Sequence, residues 1–350
     1  MITFENVSKV YPDGTTAVED LSLELETGKI TVFVGPSGCG KTTSLRMINR
    51  MITPTSGRIL IDGKDVAEQD DAELRRSIGY VIQHAGLFPH RTVLDNIITV
   101  PSLMGVSRKE AKKRALELME RVGLSTSFAK RYPVQLSGGQ QQRVGVARAL
   151  AADPPVMLMD EPFSAVDPIV REGLQAEFLR LQAELGKTIA MVTHDIDEAV
   201  KLGDTVAVFQ EGGQLAQVAP PRELLRNPAD SFVADFVGQD RGFRSLSFDA
   251  AEDLVLDSPD VPQGGYHLVT DESGVPLGWS SRPGSAEPEL ALSGQFRAGE
   301  SLRNITDLTI ASPVGVAVRV DAQGRADGVI SHEALARQLR EIRNPSGSTA

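Results

Sequence analysis

A glycine-rich stretch from Gly35 to Thr43 carries the clearest chemistry in the chain. It has the spacing G-x-x-x-x-G-K-T, in which the second glycine is followed by Lys41 and Thr42. Glycines let successive backbone N–H groups turn inward around phosphate oxygens, and a lysine at this spacing reaches the β- and γ-phosphates. The threonine hydroxyl can hold Mg²⁺. The stretch therefore predicts a site for a nucleoside triphosphate and its magnesium ion.

The elements on either side of this loop fit the prediction. Ile30–Val34 is a short apolar and β-branched run, typical of a buried strand. Residues 43–50 predict a helix in which Leu45 and Ile48 face a core. Strand, loop and helix are the context in which such a loop binds phosphate, and the helix N-terminus adds a positive dipole end. The flanks disfavour the alternative, a glycine-rich turn with an accidental lysine.

A second glycine pair lies in Leu136-Ser-Gly-Gly-Gln140. Ser137 is suited to cap the helix predicted at 141–150, and the two glycines permit close approach of the backbone. The segment thus predicts a second helix N-terminus that can receive an anion.

Two further strands end in polar residues. The apolar run 156–159 leads into Asp160 and Glu161, carboxylates that are costly to bury unless they bind a metal or water. Asp160 suits Mg²⁺ and Glu161 suits the orientation of a water molecule, while a carboxylate pair that caps a turn is the structural alternative. The strand at 188–192 is followed by His194, at the end of a strand where ligands bind in α/β sheets. A lone histidine is otherwise usually structural.

The remaining pattern alternates strands and helices, which predicts an α/β fold. It predicts strands at 2–7, 17–25, 58–61, 78–82, 204–209 and 214–218, and helices at 71–76, 93–104, 107–122, 168–185, 221–226 and 230–237. Tyr11, in the turn between the first two strands, could stack on a base or simply pack its loop. The apolar turn from Gly86 to Thr92 suggests an exposed docking surface.

Composition narrows the classes of protein. The 350 residues carry a net charge of −11, which argues against a general nucleic-acid binder. Cys39, in the phosphate loop, is the single cysteine, so no disulfide framework is expected, in keeping with the cytosol. Cys39 is expected to act through its backbone N–H; a redox role is the alternative. We expect neither a transmembrane helix nor, from Met1 to Asn6, a secretory signal.

The order of these motifs resembles that of an ATP-binding-cassette (ABC) ATPase, and the resemblance covers about residues 1–238. It implies a P-loop NTPase fold with a RecA-like core, an antiparallel β subdomain and a helical subdomain. It also implies ATP and Mg²⁺ as cofactors, with Glu161, His194, Lys41 and Gln83 in catalysis and Thr42, Gln83 and Asp160 at the metal. The implied ATP contacts are Tyr11, Gly35, Ser37, Gly38, Cys39, Gly40, Lys41, Thr42, Thr43, Ser137, Gly138, Gly139, Gln140 and Asp167.

The same resemblance implies partners. Leu136–Gln140 would bind the nucleotide held by a second copy of the chain, which gives a head-to-tail homodimer with two ATP molecules between the copies. Transmembrane permease subunits would dock near Gln83–Arg91, an extracytoplasmic substrate-binding protein would act indirectly, and no nucleic acid is expected. The chain would lie peripherally on the cytoplasmic face of the cell membrane.

A narrower resemblance lies in residues 45–57 and 78–90. These segments look like the ATPase subunits of importers for osmoprotectants such as glycine betaine, carnitine, choline or proline. An importer ATPase for amino acids or another small solute shares the same motifs and remains an alternative. A non-transport ABC ATPase is disfavoured, because it usually shows two cassettes or a long coiled-coil insertion.

The last third has a different character. Residues 241–350 contain no lysine, and we place a linker at 239–243 and a C-terminal region at 244–350. Residues 266–279 and 314–330 both predict a strand, an Asp-x-x-Gly turn and a strand, and the second is followed by a helix capped by Ser331. The pattern resembles a degenerate tandem of cystathionine-β-synthase (CBS) domains, a smaller α+β regulatory region. An oligonucleotide-binding-type barrel and a purely structural or dimerising tail are the alternatives.

Overall fold

The chain divides into two compact units, Met1–Gly238 and a second that begins at Gln239. The computed structural model describes residues 1–83, 86–164, 166–252 and 254–343. The domain boundaries given above, 1–238, 239–243 and 244–350, stay a prediction. Residues 253 and 344–350 of that last range lie outside the described residues.

The first unit alternates strands and helices. Its strands are β1 (Ile2–Val10), β2 (Thr16–Leu25), β3 (Ile30–Val34), β4 (Ser56–Ile61), β5 (Lys64–Asp65), β6 (Ile78–Val81), β7 (Val156–Asp160), β8 (Thr188–Val192), β9 (Thr205–Gln210) and β10 (Gln214–Ala219). Its helices are α1 (Lys41–Ile48), α2 (Asp71–Ser77), α3 (Val93–Ile97), α4 (Thr99–Leu103), α5 (Arg108–Arg121), α6 (Gly138–Leu150), α7 (Pro168–Leu185), α8 (Ile196–Leu202), α9 (Pro221–Arg226) and α10 (Ser231–Val237).

Two sheets organise this unit. A six-stranded sheet has the order β10-β9-β3-β8-β7-β6, in which every neighbouring pair is parallel except β10 with β9. A four-stranded antiparallel sheet has the order β2-β1-β4-β5. Parallel strands need crossover helices, which explains why helices separate most strands of the large sheet along the chain.

The large sheet is buried on both faces. Val32 and Val34 of β3 belong to a core shared with α3, α5, α6 and α7, whereas Phe33 belongs to a core shared with α1 and the antiparallel sheet. Successive side chains of a strand point to opposite faces, so a continuous apolar run is needed when both faces are covered. The predicted burial of Leu45 and Ile48 is confirmed, since neither side chain is exposed.

The single helix predicted at 93–104 is wrong. Two short helices, α3 and α4, meet at Ile98, which follows one and precedes the other. Pro101 lies in the first turn of α4, where its missing N–H costs nothing, but within a continuous helix it would remove a hydrogen bond. The prediction for residues 168–185 is confirmed by α7, which begins after Asp167 and ends at the left-handed Gly186.

The second unit is smaller and mixes short strands with helices. Its elements are α11 (Arg241–Ser245), β11 (His267–Thr270), β12 (Pro276–Ser280), β13 (Leu290–Ala291), β14 (Gln295–Phe296), α12 (Leu302–Ala311), β15 (Val316–Val320), β16 (Ala326–Ser331) and α13 (His332–Arg343). The first of these helices begins within the stretch that we predicted as linker. The strands form two three-stranded sheets, β11-β12-β13 and β14-β15-β16.

The two predicted Asp-x-x-Gly hairpins are confirmed. Asp271 accepts hydrogen bonds from the N–H groups of residues 273 and 275, and Asp321 accepts the equivalent bonds from residues 323 and 325. The second half has the order strand, helix, two strands, helix from β14 to α13. The first half lacks this order, because no α-helix lies between α11 and α12 in the described part of the chain.

Candidate functional site

The predicted site residues follow four neighbouring strands of the large sheet. The strands β3, β8, β7 and β6 are adjacent and parallel, so their carboxyl ends share one edge. This edge carries the phosphate loop after β3, His194 after β8, Asp160 and Glu161 at the end of β7, and Gln83 after β6. Ligands of α/β proteins bind at this edge of the sheet.

The phosphate loop needs glycine at two positions. Gly35 and Gly40 have φ angles of +148° and +91°, which side chains rarely adopt. A Cβ at Gly35 would also overlap the carbonyl oxygen of Phe209, and one at Gly40 would overlap that of Ala17. The loop is therefore held between β9 and β2, and substitution at either glycine would strain the backbone.

Lys41 begins α1 with its side chain folded over the loop. Its ammonium group donates hydrogen bonds to the carbonyl oxygens of Gly35 and Pro36, both at 2.7 Å, and lies 3.5 Å from the sulfur of Cys39. Lys41 is only 7% exposed, whereas Ser37 and Gly38 are exposed. A buried ammonium group beside the exposed backbone of the phosphate loop is suited to bind an anion on that loop.

Cys39 is fully buried, so its thiol faces the protein interior. Thr43, in the first turn of α1, is half-buried next to Ser44, whose N–H donates to the Gly40 carbonyl and continues the helix from the loop.

Thr42 and Asp160 form the predicted metal-binding pair. The hydroxyl group of Thr42 donates to Asp160 Oδ1 at 3.0 Å, and the Asp160 carboxylate is almost buried. The second oxygen of Asp160 lies 3.3 Å from the guanidinium of Arg46. A hydroxyl, a carboxylate and the nearby amide of Gln83 are oxygen donors, which Mg²⁺ prefers; Mg²⁺ commonly takes one or two protein oxygens beside substrate phosphates. The residues present therefore fit a magnesium ion bound together with a nucleotide.

Among the described residues, no group of three or more His, Cys, Asp or Glu side chains could hold a metal ion by itself.

Glu161 lies between two of the other predicted catalytic side chains, Gln83 and His194. The Gln83 amide donates to Glu161 Oε2 at 3.2 Å, and His194 Nδ1 lies 3.2 Å from Oε1. The backbone of Glu161 has a φ of +47°, and its N–H donates to the Val192 carbonyl at 3.0 Å. A left-handed conformation in a non-glycine residue is strained and is found frequently at active sites. Two side chains, which follow β6 and β8, therefore converge on the carboxylate that follows β7.

The Ser-Gly-Gly-Gln segment forms the predicted helix N-terminus. Ser137 accepts a hydrogen bond from the N–H of Gln140 at 3.3 Å, and the Gln140 side chain accepts one from the N–H of Ser137 at 3.0 Å. Gly138 and Gly139 are within α6, which begins three residues earlier than predicted because this capping box draws both glycines into the first turn.

The neighbours of Gly139 belong to the region around Asp167. A Cβ at Gly139 would lie 3.3 Å from Val170, with Leu174 and Val166 as the next nearest side chains. Asp167 caps α7, because its carboxylate accepts a hydrogen bond from the N–H of Ile169 at 3.0 Å. The segment 137–140 is thus positioned by α7, whereas Lys41, Thr42, Gln83, Asp160, Glu161 and His194 gather at the edge of the sheet.

Tyr11 lies in the turn between β1 and β2 and is 36% exposed. The ammonium group of Lys9 lies 5.3 Å from the centre of its ring. The ring is thus partly accessible, as a base-stacking residue requires.

Two residues near the site, Arg46 and Tyr80, were not predicted from the sequence. The guanidinium group of Arg46 contacts the Asp160 carboxylate. Burial raises the pKa of the Tyr80 phenol. Arg46 is four residues after Thr42, so both lie on one face of α1. That spacing was the available signal, since the helix had been predicted.

Comparisons with known proteins identify the family. Residues 18–164 match the family model described as ABC transporter. The "Choline transport ATP-binding protein OpuBA" of Bacillus subtilis is 53% identical over 249 residues, which cover 71% of this chain and 65% of that protein. The alignments with this protein and with the OpuCA transport ATP-binding proteins of Listeria monocytogenes and Bacillus subtilis span 63–65% of those relatives' length.

A full-length relative is the "Osmoprotectant import ATP-binding protein OsmV" of Salmonella typhimurium, 43% identical over 97% of this chain and 96% of that protein. A solved dimeric ATP-binding cassette, bound to ADP and Pi, matches with a TM-score of 0.57 and 36% identity over 63% of this chain and 99% of that chain.

These matches confirm the predicted fold class, a P-loop ABC ATPase fold followed by an additional C-terminal region. Within the described ranges, no helix has the length and apolarity to cross a bilayer. The convergence of Lys41, Thr42, Asp160, Glu161 and His194 at one sheet edge, together with the alignment along the whole chain, shows that this chain belongs to the ATP-binding proteins of ABC transporters.

Proposed function

We propose that the chain is the ATP-hydrolysing subunit of an importer for an osmoprotectant such as glycine betaine, carnitine, choline or proline. The observation that carries the proposal is the placement of Glu161 between Gln83 and His194, beside the Thr42–Asp160 pair. The solute class is supported by the relatives, whose names refer to choline, carnitine, glycine betaine and osmoprotectant transport.

The geometry supports a direct route for hydrolysis. Lys41 and the N–H groups of the phosphate loop would hold the triphosphate, and Mg²⁺ held by Thr42, Gln83 and Asp160 would supply neutralisation of the phosphate charge. The Glu161 carboxylate would orient a water molecule and accept its proton as the water oxygen attacks the γ-phosphorus. The bond from that phosphorus to the bridging oxygen breaks, which leaves ADP and inorganic phosphate. His194 would donate a hydrogen bond to the γ-phosphate.

We further propose that two copies of the chain assemble head to tail. Ser137–Gln140 packs beside the start of α7 with Gly138 exposed, so its capped N-terminus remains available for an anion from another molecule. The neighbouring Ile169 is 89% exposed. An apolar side chain this exposed next to Asp167 fits a surface that a second copy would cover. The similarity to a solved dimeric cassette supports a dimer.

The permease subunits would dock near Gln83–Arg91, of which His84 and Ala85 lie outside the described residues. The buried side chain of Asn96 holds this turn, because it bonds to the carbonyl oxygens of Phe88 and Arg91 and accepts from the N–H of Phe88. Phe88 is 40% exposed and fits a docking contact. Leu87 was expected to be exposed as well, but it is half-buried against the core and therefore supports the turn.

The remaining proposals concern location and regulation. The chain would lie on the cytoplasmic face of the membrane, with an extracytoplasmic binding protein that delivers the solute to the permease. The C-terminal region would be a degenerate CBS-like regulatory module. Its second half supports this proposal through the strand, helix, two strands, helix order from β14 to α13, and both halves share the Asp-turn hairpin.

Solute-stimulated hydrolysis tests the transport proposal. The full chain, its co-purified permease and the binding protein are reconstituted in vesicles, and ATPase activity is measured with glycine betaine or with an amino acid other than proline at equal osmolality. We expect glycine betaine to stimulate hydrolysis several-fold, because delivery of solute brings the two ATPase copies together. Stimulation by the amino acid alone would contradict the solute class, and a chain that never co-purifies with a permease would contradict transport.

The same vesicles test the regulatory module. We expect the stimulated rate to change with salt concentration in the full chain. The matched variants Asp271→Ala and Asp321→Ala, which disrupt the two hairpin turns, should weaken that response. An unchanged rate at low and high salt would remove the sensing role.

A further inference from the structure

A buried polar cluster lies beside the turn that carries His194. Glu198, on α8, is 6% exposed, and it packs with Gln175 of α7, 5% exposed, and Thr193, 2% exposed. The Gln175 amide donates to Glu198 Oε1 at 3.1 Å. Carboxylates are rarely this buried without partners, because removal from water disfavours their charge. Packing alone does not explain why a carboxylate is buried here, and the hydrolysis route described above does not use Glu198.

The groups around Glu198 shift the pKa of its carboxyl in opposite directions. Burial raises the pKa of the Glu198 carboxyl, and hydrogen bonds from Thr193 and Gln175 lower it. The Asp195 carboxylate adds a raising contribution, and the Arg171 guanidinium adds a lowering one. The Glu198 carboxylate, on α8, thus interacts with Gln175 of α7 and with Thr193 of the turn between β8 and α8, so it joins three segments.

One side of this junction is the turn that carries His194. Thr193 accepts a hydrogen bond from the N–H of Asp195 at 3.1 Å, which closes the turn around His194. The Asp195 carboxylate accepts from the N–H groups of residues 197 and 198, at 2.9 and 3.3 Å, and so caps α8. The direction of the His194 ring, whose Nδ1 is 3.2 Å from Glu161, therefore depends on residues that flank it and contact Glu198.

The other side of the junction is α7. Arg171 and Gln175 are four residues apart and lie on one face of the helix. Arg171 donates to the Val166 carbonyl at 3.2 Å and lies 3.9 Å from Asp195. The same first turns of α7 carry Val170 and Leu174, the side chains nearest to Gly139. α7 thus contacts both the helix N-terminus at 137–140 and the turn of His194.

We propose that Glu198 is a positioning residue that fixes the His194 turn onto α7 through Gln175, and so links His194 to the Ser137–Gln140 segment of the same chain. The inference rests on the proposed function, in which His194 contacts the γ-phosphate. In a head-to-tail pair, Ser137–Gln140 faces the partner's nucleotide while His194 faces the chain's own. The link therefore couples the two ATP sites, and it predicts that loss of Glu198 weakens cooperativity between them.

Steady-state ATPase kinetics of the full chain test this role. Glu198→Ala should lower kcat by about 10-fold, since it removes the buried hydrogen bond between α8 and Gln175, and should leave the KM for ATP within about threefold. The Hill coefficient for ATP should fall toward one. Glu198→Gln keeps an oxygen that can accept from Gln175, so it should recover most of kcat. Gln175→Leu removes the same bond from α7 and should reproduce the loss.

A double-mutant cycle with His194→Ala separates positioning from structure. If Glu198 acts through His194, Glu198→Ala should cause little further loss in single-turnover rate once His194 is absent. Glu120→Ala is the matched control, because it removes the carboxylate of an exposed side chain on α5 of the same unit, and it should behave as wild type. The folded fraction of each variant is measured by thermal unfolding and by ATP binding, and each rate is divided by that fraction.

Two results would overturn the proposal. One is an equal loss from Glu198→Ala with and without His194, which would indicate a general structural role. The other is a wild-type kcat and Hill coefficient in folded Glu198→Ala. Both leave the proposed function intact if the wild-type chain hydrolyses ATP, whereas a wild-type chain without ATPase activity would overturn the proposed function and this inference together.

Discussion

Glu161→Gln is expected to lower ATP turnover by about 10²–10⁴-fold, the range for loss of a general base, while ATP still binds. The amide oxygen of glutamine can still accept from Gln83, so the side chain should keep its place. An amide cannot take a proton from the attacking water at neutral pH. ATP affinity should stay within about threefold, because Glu161 belongs to the hydrolytic step rather than to the phosphate cradle.

The measurement combines a phosphate-release assay with equilibrium binding of ATP to the full chain. Glu24→Gln is a matched control, because Glu24 is an exposed carboxylate on β2 of the same unit. It should retain wild-type turnover. Near-normal hydrolysis by Glu161→Gln would remove Glu161 from its proposed role.

Lys41→Ala is expected to abolish productive ATP binding. The ammonium group is buried over the loop and held by two loop carbonyl oxygens, so it is available to phosphate oxygens at little cost in ordering. A hydrogen bond to a charged group contributes about 1.5–3 kcal/mol, and the lysine would contact two phosphates. The affinity for ATP should therefore fall by about 100-fold or more, and hydrolysis should fall with it.

Titration calorimetry with ATP checks this expectation. Lys64→Ala, which removes an exposed lysine from β5 in the same unit, should bind ATP as the wild type does. Lys41→Arg keeps the charge but replaces a compact ammonium group by a planar fork that fits the tight loop poorly, so it should recover little affinity. An unchanged affinity in Lys41→Ala would show that the loop does not bind the triphosphate as proposed.

The phosphate site was predictable because most of its residues lie close together in the sequence. Gly35, Gly40, Lys41 and Thr42 fall within one turn and the start of one helix, so their spacing alone fixes how they meet a phosphate group. Asp160 and His194 could be added because each follows an apolar run, and parallel strands end at a common edge. No sequence pattern states which strands are adjacent, so the contacts of Glu161 with Gln83 and His194 required the structure.

The features that were missed depend on tertiary contacts or on weak local signals. Glu198 lies in α8, a helix that was not predicted, and its packing against Gln175 shows that it is buried. The break at Ile98 and the burial of Leu87 depend on how short helices meet the core. The helix α12 was overlooked although Ser301 caps it, because the surrounding residues 281–300 are rich in glycine, proline and serine.

The central claim is that the phosphate loop of one copy and Ser137–Gln140 of another form one ATP site. A mixed dimer tests this claim. One of its chains carries Lys41→Ala and the other carries Gly138→Asp, and both chains also carry Glu161→Gln to prevent turnover. In this pair one composite site has both defects and the other has none. We predict that the mixed pair, isolated through two different tags, retains ATP through gel filtration while neither parent does. A mixed pair that retains no ATP, or a Gly138→Asp chain that retains ATP by itself, would contradict the shared site.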